Sequence, residues 1–213
     1  MTPKFSQAVD PVFLHILALL ERFERSESPS PEEEQLRIRA LIDQAEAKLG
    51  TEKDWNHAKY GLVAWIDEML VDARWEGRSW WSNNILEMQY FNSRKAFEEF
   101  FIHAQDASAL TSKDALEVYY VCVILGFRGL YRDPDSGPAL AMSLNFPANL
   151  DEWCRKTALS IRLGQGREPP GAPGPEKIGA PPLRAASSVV WPWLVAVALT
   201  ITGVLYAYYG LDL

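Results

Sequence analysis

The chain has 213 residues, 48% apolar and 23% charged, which excludes the polar, core-poor composition of a disordered chain. Its formal charge of −7, from 21 basic and 28 acidic residues, excludes a surface built to displace counterions from nucleic-acid phosphates. Cys122 and Cys154 lie in apolar stretches without CxxC or metal-ligand spacing, as buried thiols in a reducing compartment do.

Residues 1–163 read as helical throughout. Asp10 and Pro11 are expected to open a first helix, because Val12, Phe13, Ile16, Leu17 and Leu20 recur at helical spacing. The apolar run Val12 to Leu20 leads straight into Glu21 and Arg22 without a small-residue cleavage site, so it is not read as a signal peptide. Ser30, Pro31, the glutamates at 32 to 34 and Gly50 mark the cap, first turn and end of a second helix. Thr51 and Asp54 suggest a third start, with the helix running through Trp65 and Met69 to about Ala73. After a turn-like WEGRSWW, a short segment is expected near 84–91, a helix near 93–107 and another near 113–131. Asn149 and Glu152 have capping-box spacing and start a last helix.

Residues 164–188 hold six of the 14 prolines and five of the 13 glycines, too little apolar side chain to offset ordering entropy, and form a tether. As a flexible coil this tether spans about 28 Å. Residues 189–209 carry no charge and as a helix would cover about 31 Å, the thickness of a bilayer core. Trp191 and Trp193 at one end, and Tyr206, Tyr208 and Tyr209 at the other, have the placement of interfacial anchors. Lys177 and Arg184 precede the span and no basic residue follows, which puts the N-terminal side in the cytoplasm and residues 210–213 in the periplasm. Within the span, Ala196, Thr200, Gly203 and Ala207 line one face with small side chains, a surface for self-association or pairing with another membrane helix.

Asp67 and Glu68 are adjacent carboxylates in the apolar setting GLVAWIDEML, and none of their i±3 or i±4 neighbours is basic. Each must be solvated, lie in a partner-docking cleft, or meet an arginine from elsewhere, with Arg78, Arg94 and Arg128 as candidates. They point about 100° apart on a helix, which disfavours a shared-proton dyad. The three tryptophans of WEGRSWW, with Arg78, form either a buried aromatic turn or an exposed partner patch that includes Trp75 and Arg78. Gly126 and Gly129, in LGFRGLY, are expected inside a helix, where their cost calls for a packing or backbone reason. His15, His57 and His103 are scattered, and there is neither HExxH nor GxSxG, so no catalytic residue, cofactor or metal is expected.

Three segments together, YGLVAWIDEMLVDARWEGRSWW (60–81), ILEMQYFNSRKAFEEFF (85–101) and DALEVYYVCVILGFRGLY (114–131), resemble the DotU/TssL (IcmH-like) inner-membrane component of type VI secretion systems. The resemblance implies an all-helical, hook-like cytoplasmic domain of two bundles without enzymatic activity. It also implies a membrane complex with an IcmF/TssM-like protein and an outer-membrane lipoprotein, and docking of baseplate subunits on the cytoplasmic face. Asp67 and Glu68 match the family's acidic pair on its cleft-forming helix, and 75–81 and 126–131 match its signature segments. Some members carry a peptidoglycan-binding domain after the membrane helix. The competing readings are a membrane-tethered hydrolase using Asp67 or Glu68, and a tail-anchored adaptor unrelated to secretion.

Overall fold

A computed structural model describes residues 1–51 and 53–164. The tether, the apolar segment and its small-residue face at Ala196, Thr200, Gly203 and Ala207 therefore lie outside the described residues. Among the described residues there are helices and no strand, and no helix is long and apolar enough to cross a membrane.

Helix α1 runs from Pro3 to Glu24, seven residues longer at its start than the Asp10–Pro11 signal implies. Pro3 occupies the first turn, where its missing N–H costs nothing, and Thr2 is fixed by Asp114, which accepts its backbone N–H at 2.6 Å and its hydroxyl at 2.7 Å. Pro11 consequently lies inside the helix. The Gln7 carbonyl that loses its helical donor there is met by Lys48 Nζ at 3.5 Å. Helix α2, Pro31–Leu49, starts on Ser30, whose hydroxyl accepts the Glu33 N–H, and ends at Gly50.

Helix α3, Lys53–Asp72, is buried at every residue from Tyr60 to Asp67 and so forms the centre of the core. Its chief neighbours are α6 (Ala96–Ala109) and α7 (Asp114–Ile124), while α1 packs mainly on α2 and α9 (Leu150–Gly164) packs on α7. Two short helices, α4 (Arg78–Asn83) and α5 (Leu86–Phe91), lie against α3. Asn149 Oδ1 accepts the Glu152 N–H at 2.7 Å and caps α9 as its sequence spacing implies.

The segment expected as one helix from 113 to 131 is broken. Helix α7 stops at Ile124, Gly126 and Gly129 take φ of +115° and +49°, and a single 3₁₀ turn covers Gly129–Tyr131. These are left-handed conformations that a helix interior does not allow, so the glycines end the helix rather than ease its packing. A short helix α8, Gly137–Ser143, follows, in a stretch for which the sequence marks no separate element.

Candidate functional site

Asp67 is 5% exposed, and its carboxylate meets no arginine among the described residues. It accepts the Trp81 indole N–H at 2.9 Å, the Leu86 N–H at 2.9 Å and the Glu87 N–H at 2.7 Å. The residue preceding α5 is Ile85, which has no capping side chain, so Asp67 caps α5 from another helix. Glu87 repeats the device one step on: it accepts the Lys95 and Ala96 N–H groups at the start of α6, and the Tyr60 hydroxyl at 3.0 Å. Two buried carboxylates thus set α5 and α6 relative to α3.

Glu68, turned away from its neighbour, serves a different loop. It accepts the Arg128 N–H at 2.7 Å and the Gly129 N–H at 3.1 Å, donors released because the helix has ended. Arg132 approaches it at 3.2 Å and grips Asp72 through two bonds of 2.7 Å. Of the three arginines considered from sequence, only Arg128 touches the pair, and it does so through its backbone. The pairing guanidinium belongs to Arg132, which the sequence reading missed because the intervening break could not be seen.

Above these carboxylates lies a cleft of about 470 Å³. Val71, Ile85, Phe97, Leu130 and Leu140 give it apolar walls, and Arg94, Arg132 and Asp133 stand at its polar edge. Phe97 is 47% exposed, and Arg94 is exposed with only long contacts, 3.4 to 3.5 Å, to the Asn83 and Ser82 carbonyls. Apolar walls and a mixed-charge edge suit another protein surface.

A family model for the type VI secretion system protein DotU matches residues 4–213. The chain belongs to the DotU family. It is accordingly a secretion-system component that works with other type VI components. Its fold is similar to the cytoplasmic domain of TssL from Acinetobacter baumannii, with 23% identity and a TM-score of 0.57, covering 75% of this chain and 98% of that one. It is also similar to SciP/TssL from Escherichia coli Enteroaggregative 042, with 20% identity and a TM-score of 0.50, covering 84% and 97%. Comparison with curated proteins finds no match.

In this DotU-family domain the 75–81 segment is chiefly an aromatic packing turn. Trp75 stacks on Phe23 of α1 with centroids 4.5 Å apart, and its indole donates to the Leu70 carbonyl at 2.9 Å. A Cβ on Gly77 would stand 2.2 Å from the Trp75 ring, so only glycine admits this stack. Trp81 is fully buried on Asp67. Arg78, in contrast, is exposed at the start of α4, and its guanidinium makes no hydrogen bond or ion pair among the described residues. Among those residues, no group of three or more His, Cys, Asp or Glu is placed to hold a metal ion.

Burial pushes the Asp67 carboxyl up to about 7, against the pull of its three N–H donors. Burial also raises Glu68, opposed by the Arg128 N–H and by Arg132. An unfolded Asp titrates near 3.8, so between about pH 4 and 7 the folded state binds more protons at Asp67 than the unfolded state does. The contribution of this group to stability therefore falls as pH rises through that window. Urea unfolding at pH 5 and pH 8 should show wild type losing more stability across the interval than Asp67→Asn; equal losses would contradict the assignment.

Proposed function

We propose that this DotU-family chain is a noncatalytic, tail-anchored scaffold of the type VI membrane complex. It docks the phage-tail-like baseplate to the inner membrane together with an IcmF/TssM-like partner. The observation that carries this reading is the family match, which extends from residue 4 through the charge-free segment 189–209 to residue 213. Under it the described helices are the hook-like cytoplasmic domain of two bundles, and the apolar segment is its membrane anchor, with the C-terminus in the periplasm.

The cleft is the proposed docking surface for a baseplate subunit. Asp67 and Glu68 act there from the floor, by holding α5, α6 and the 129–131 turn in place, while Phe97 and Arg94 make the contact. Arg78, exposed at the start of α4, is proposed as a further partner contact, with Trp75 holding that turn on α1. The hydrolase reading asks for a perturbed carboxylate in a concave pocket, and Asp67 meets that requirement. Its oxygens are nevertheless engaged by three N–H donors supplied by the fold, which favours a capping role over substrate chemistry.

Exposed side chains test the docking role without touching the caps. The pair Arg94→Glu with Phe97→Ser is expected to leave the melting temperature within about 2 °C of wild type, since exposed substitutions shift stability by only about 0.5 kcal/mol. Co-purification of baseplate subunits should fall at least about tenfold, the cost of a lost anchor worth about 1.4 kcal/mol, and secretion should stop. A folded double variant that still captures the baseplate at wild-type levels would refute docking through this cleft. For the anchor, Gly203→Leu is expected to reduce self-association or partner capture in a membrane two-hybrid assay while leaving insertion intact. An unchanged signal would make the segment a plain anchor.

A further inference from the structure

A second pocket, of about 330 Å³, lies where α3, the end of α5 and α6 meet. Its walls are rings: Tyr60 meets the edge of Phe91 at 4.9 Å and lies 4.3 Å from His103, which in turn lies 6.0 Å from His57. Glu99 is its charged group. One oxygen of that carboxylate accepts the Ser93 hydroxyl at 3.3 Å and lies 3.2 Å from the Tyr60 hydroxyl, whose single hydrogen it shares with Glu87, and Glu99 makes no ion pair among the described residues.

Burial and the charge of Glu87 hold the Tyr60 hydroxyl protonated, so it stays a donor. Burial and the neighbouring His57 hold the His103 ring below its ordinary pKa, so it is neutral at pH 7.5 and presents a π face rather than a repelling charge. Asn56 also lines the pocket; its amide nitrogen donates to the Thr51 carbonyl at 3.3 Å, and its amide oxygen is an acceptor by chemistry. The pocket thus combines one uncompensated negative charge, aromatic faces and acceptors.

A cation is what this combination recognises. A ring face within about 6 Å attracts a cation, and a half-buried carboxylate adds a charge-assisted hydrogen bond. A guanidinium fits better than an ammonium, because it stacks flat on a ring while its five N–H groups reach several acceptors at once. We propose that this pocket takes an arginine side chain presented by a protein partner, a contact separate from the cleft and independent of its docking role.

The test uses the full-length protein in detergent micelles at pH 7.5, titrated with N-acetyl-arginine methylamide. The readout is the ring C–H resonances of His15, His57 and His103, which are all the histidines of the chain. The expected result is a saturable shift of His57 and His103, in the millimolar range of a single-residue ligand, with His15 unmoved. The neutral citrulline analogue should give no shift. Glu99→Gln should weaken binding at least about tenfold, as loss of a charged hydrogen bond does. If that variant disturbs the fold, revealed by movement of His15, Phe91→Leu serves instead, with an expected weakening of about threefold from the lost ring face.

Flat His57 and His103 resonances up to about 50 mM ligand, well above the millimolar range, would overturn the proposal. So would an equal response to citrulline, or wild-type affinity in a folded Glu99→Gln protein. A blocked lysine binding as tightly as the arginine would overturn the guanidinium assignment.

Discussion

Replacing Asp67 with Ala is expected to destabilise the domain by about 3 kcal/mol at pH 7, the upper range for orphaning several buried donors at once. Three N–H groups lose their acceptor together: the Trp81 indole and the first two amides of α5. None can turn to water, because Leu86, Glu87 and Trp81 are buried. Urea unfolding monitored by circular dichroism measures the loss, and native-state hydrogen exchange locates it. Exchange should accelerate first in α5 and next at the start of α6, since Glu87 sits in α5 and caps α6. A variant as stable as wild type would show that the cap is dispensable and would return Asp67 to the role of a contact residue. The three settings that the sequence allows for these carboxylates, solvent, a docking cleft or an arginine, do not include this use of backbone donors.

Gly129→Ala is expected to cost a similar amount, about 3 kcal/mol, from two sources that add. A non-glycine residue in the left-handed region costs about 1 kcal/mol. The new Cβ would also stand 2.8 Å from the Phe127 ring and 2.9 Å from the Phe97 backbone carbonyl, contacts that force a shift costing about 1 to 3 kcal/mol. That shift has a functional direction. Gly129 lies between the Glu68 carboxylate and Phe97, so the substitution deforms the cleft where its exposed aromatic stands. Thermal unfolding gives the stability change, and baseplate capture should fall with it even at temperatures where the variant remains folded. A loss below about 1 kcal/mol, the backbone cost alone, would mean that the turn accommodates a side chain and that its tightness is not what shapes the cleft.

Helix α2 was legible to the residue, from Ser30 through Gly50, because a cap, a first-turn proline and a terminal glycine act on backbone groups within one turn of themselves. The start of α9 at Asn149 was legible for the same reason. Helix α1 was misplaced because Asp10–Pro11 imitates a start, while the contact that extends the helix to Pro3 comes from Asp114, 112 residues away from Thr2.

The candidate site divides along the same line. Its two carboxylates stood out in the sequence by lacking any same-helix partner, and the three quoted segments together carried the resemblance to the family. Sequence by itself thus determined an all-helical DotU-type domain and the residues on which its cleft turns. Only the tertiary structure decided that Asp67 and Glu68 hold backbone N–H groups instead of arginines, and that Gly126 and Gly129 end a helix. The physical reason is range: caps and periodicity are written within a few residues, whereas a Glu68 oxygen and the Arg128 amide it binds are 60 positions apart and leave no spacing to read.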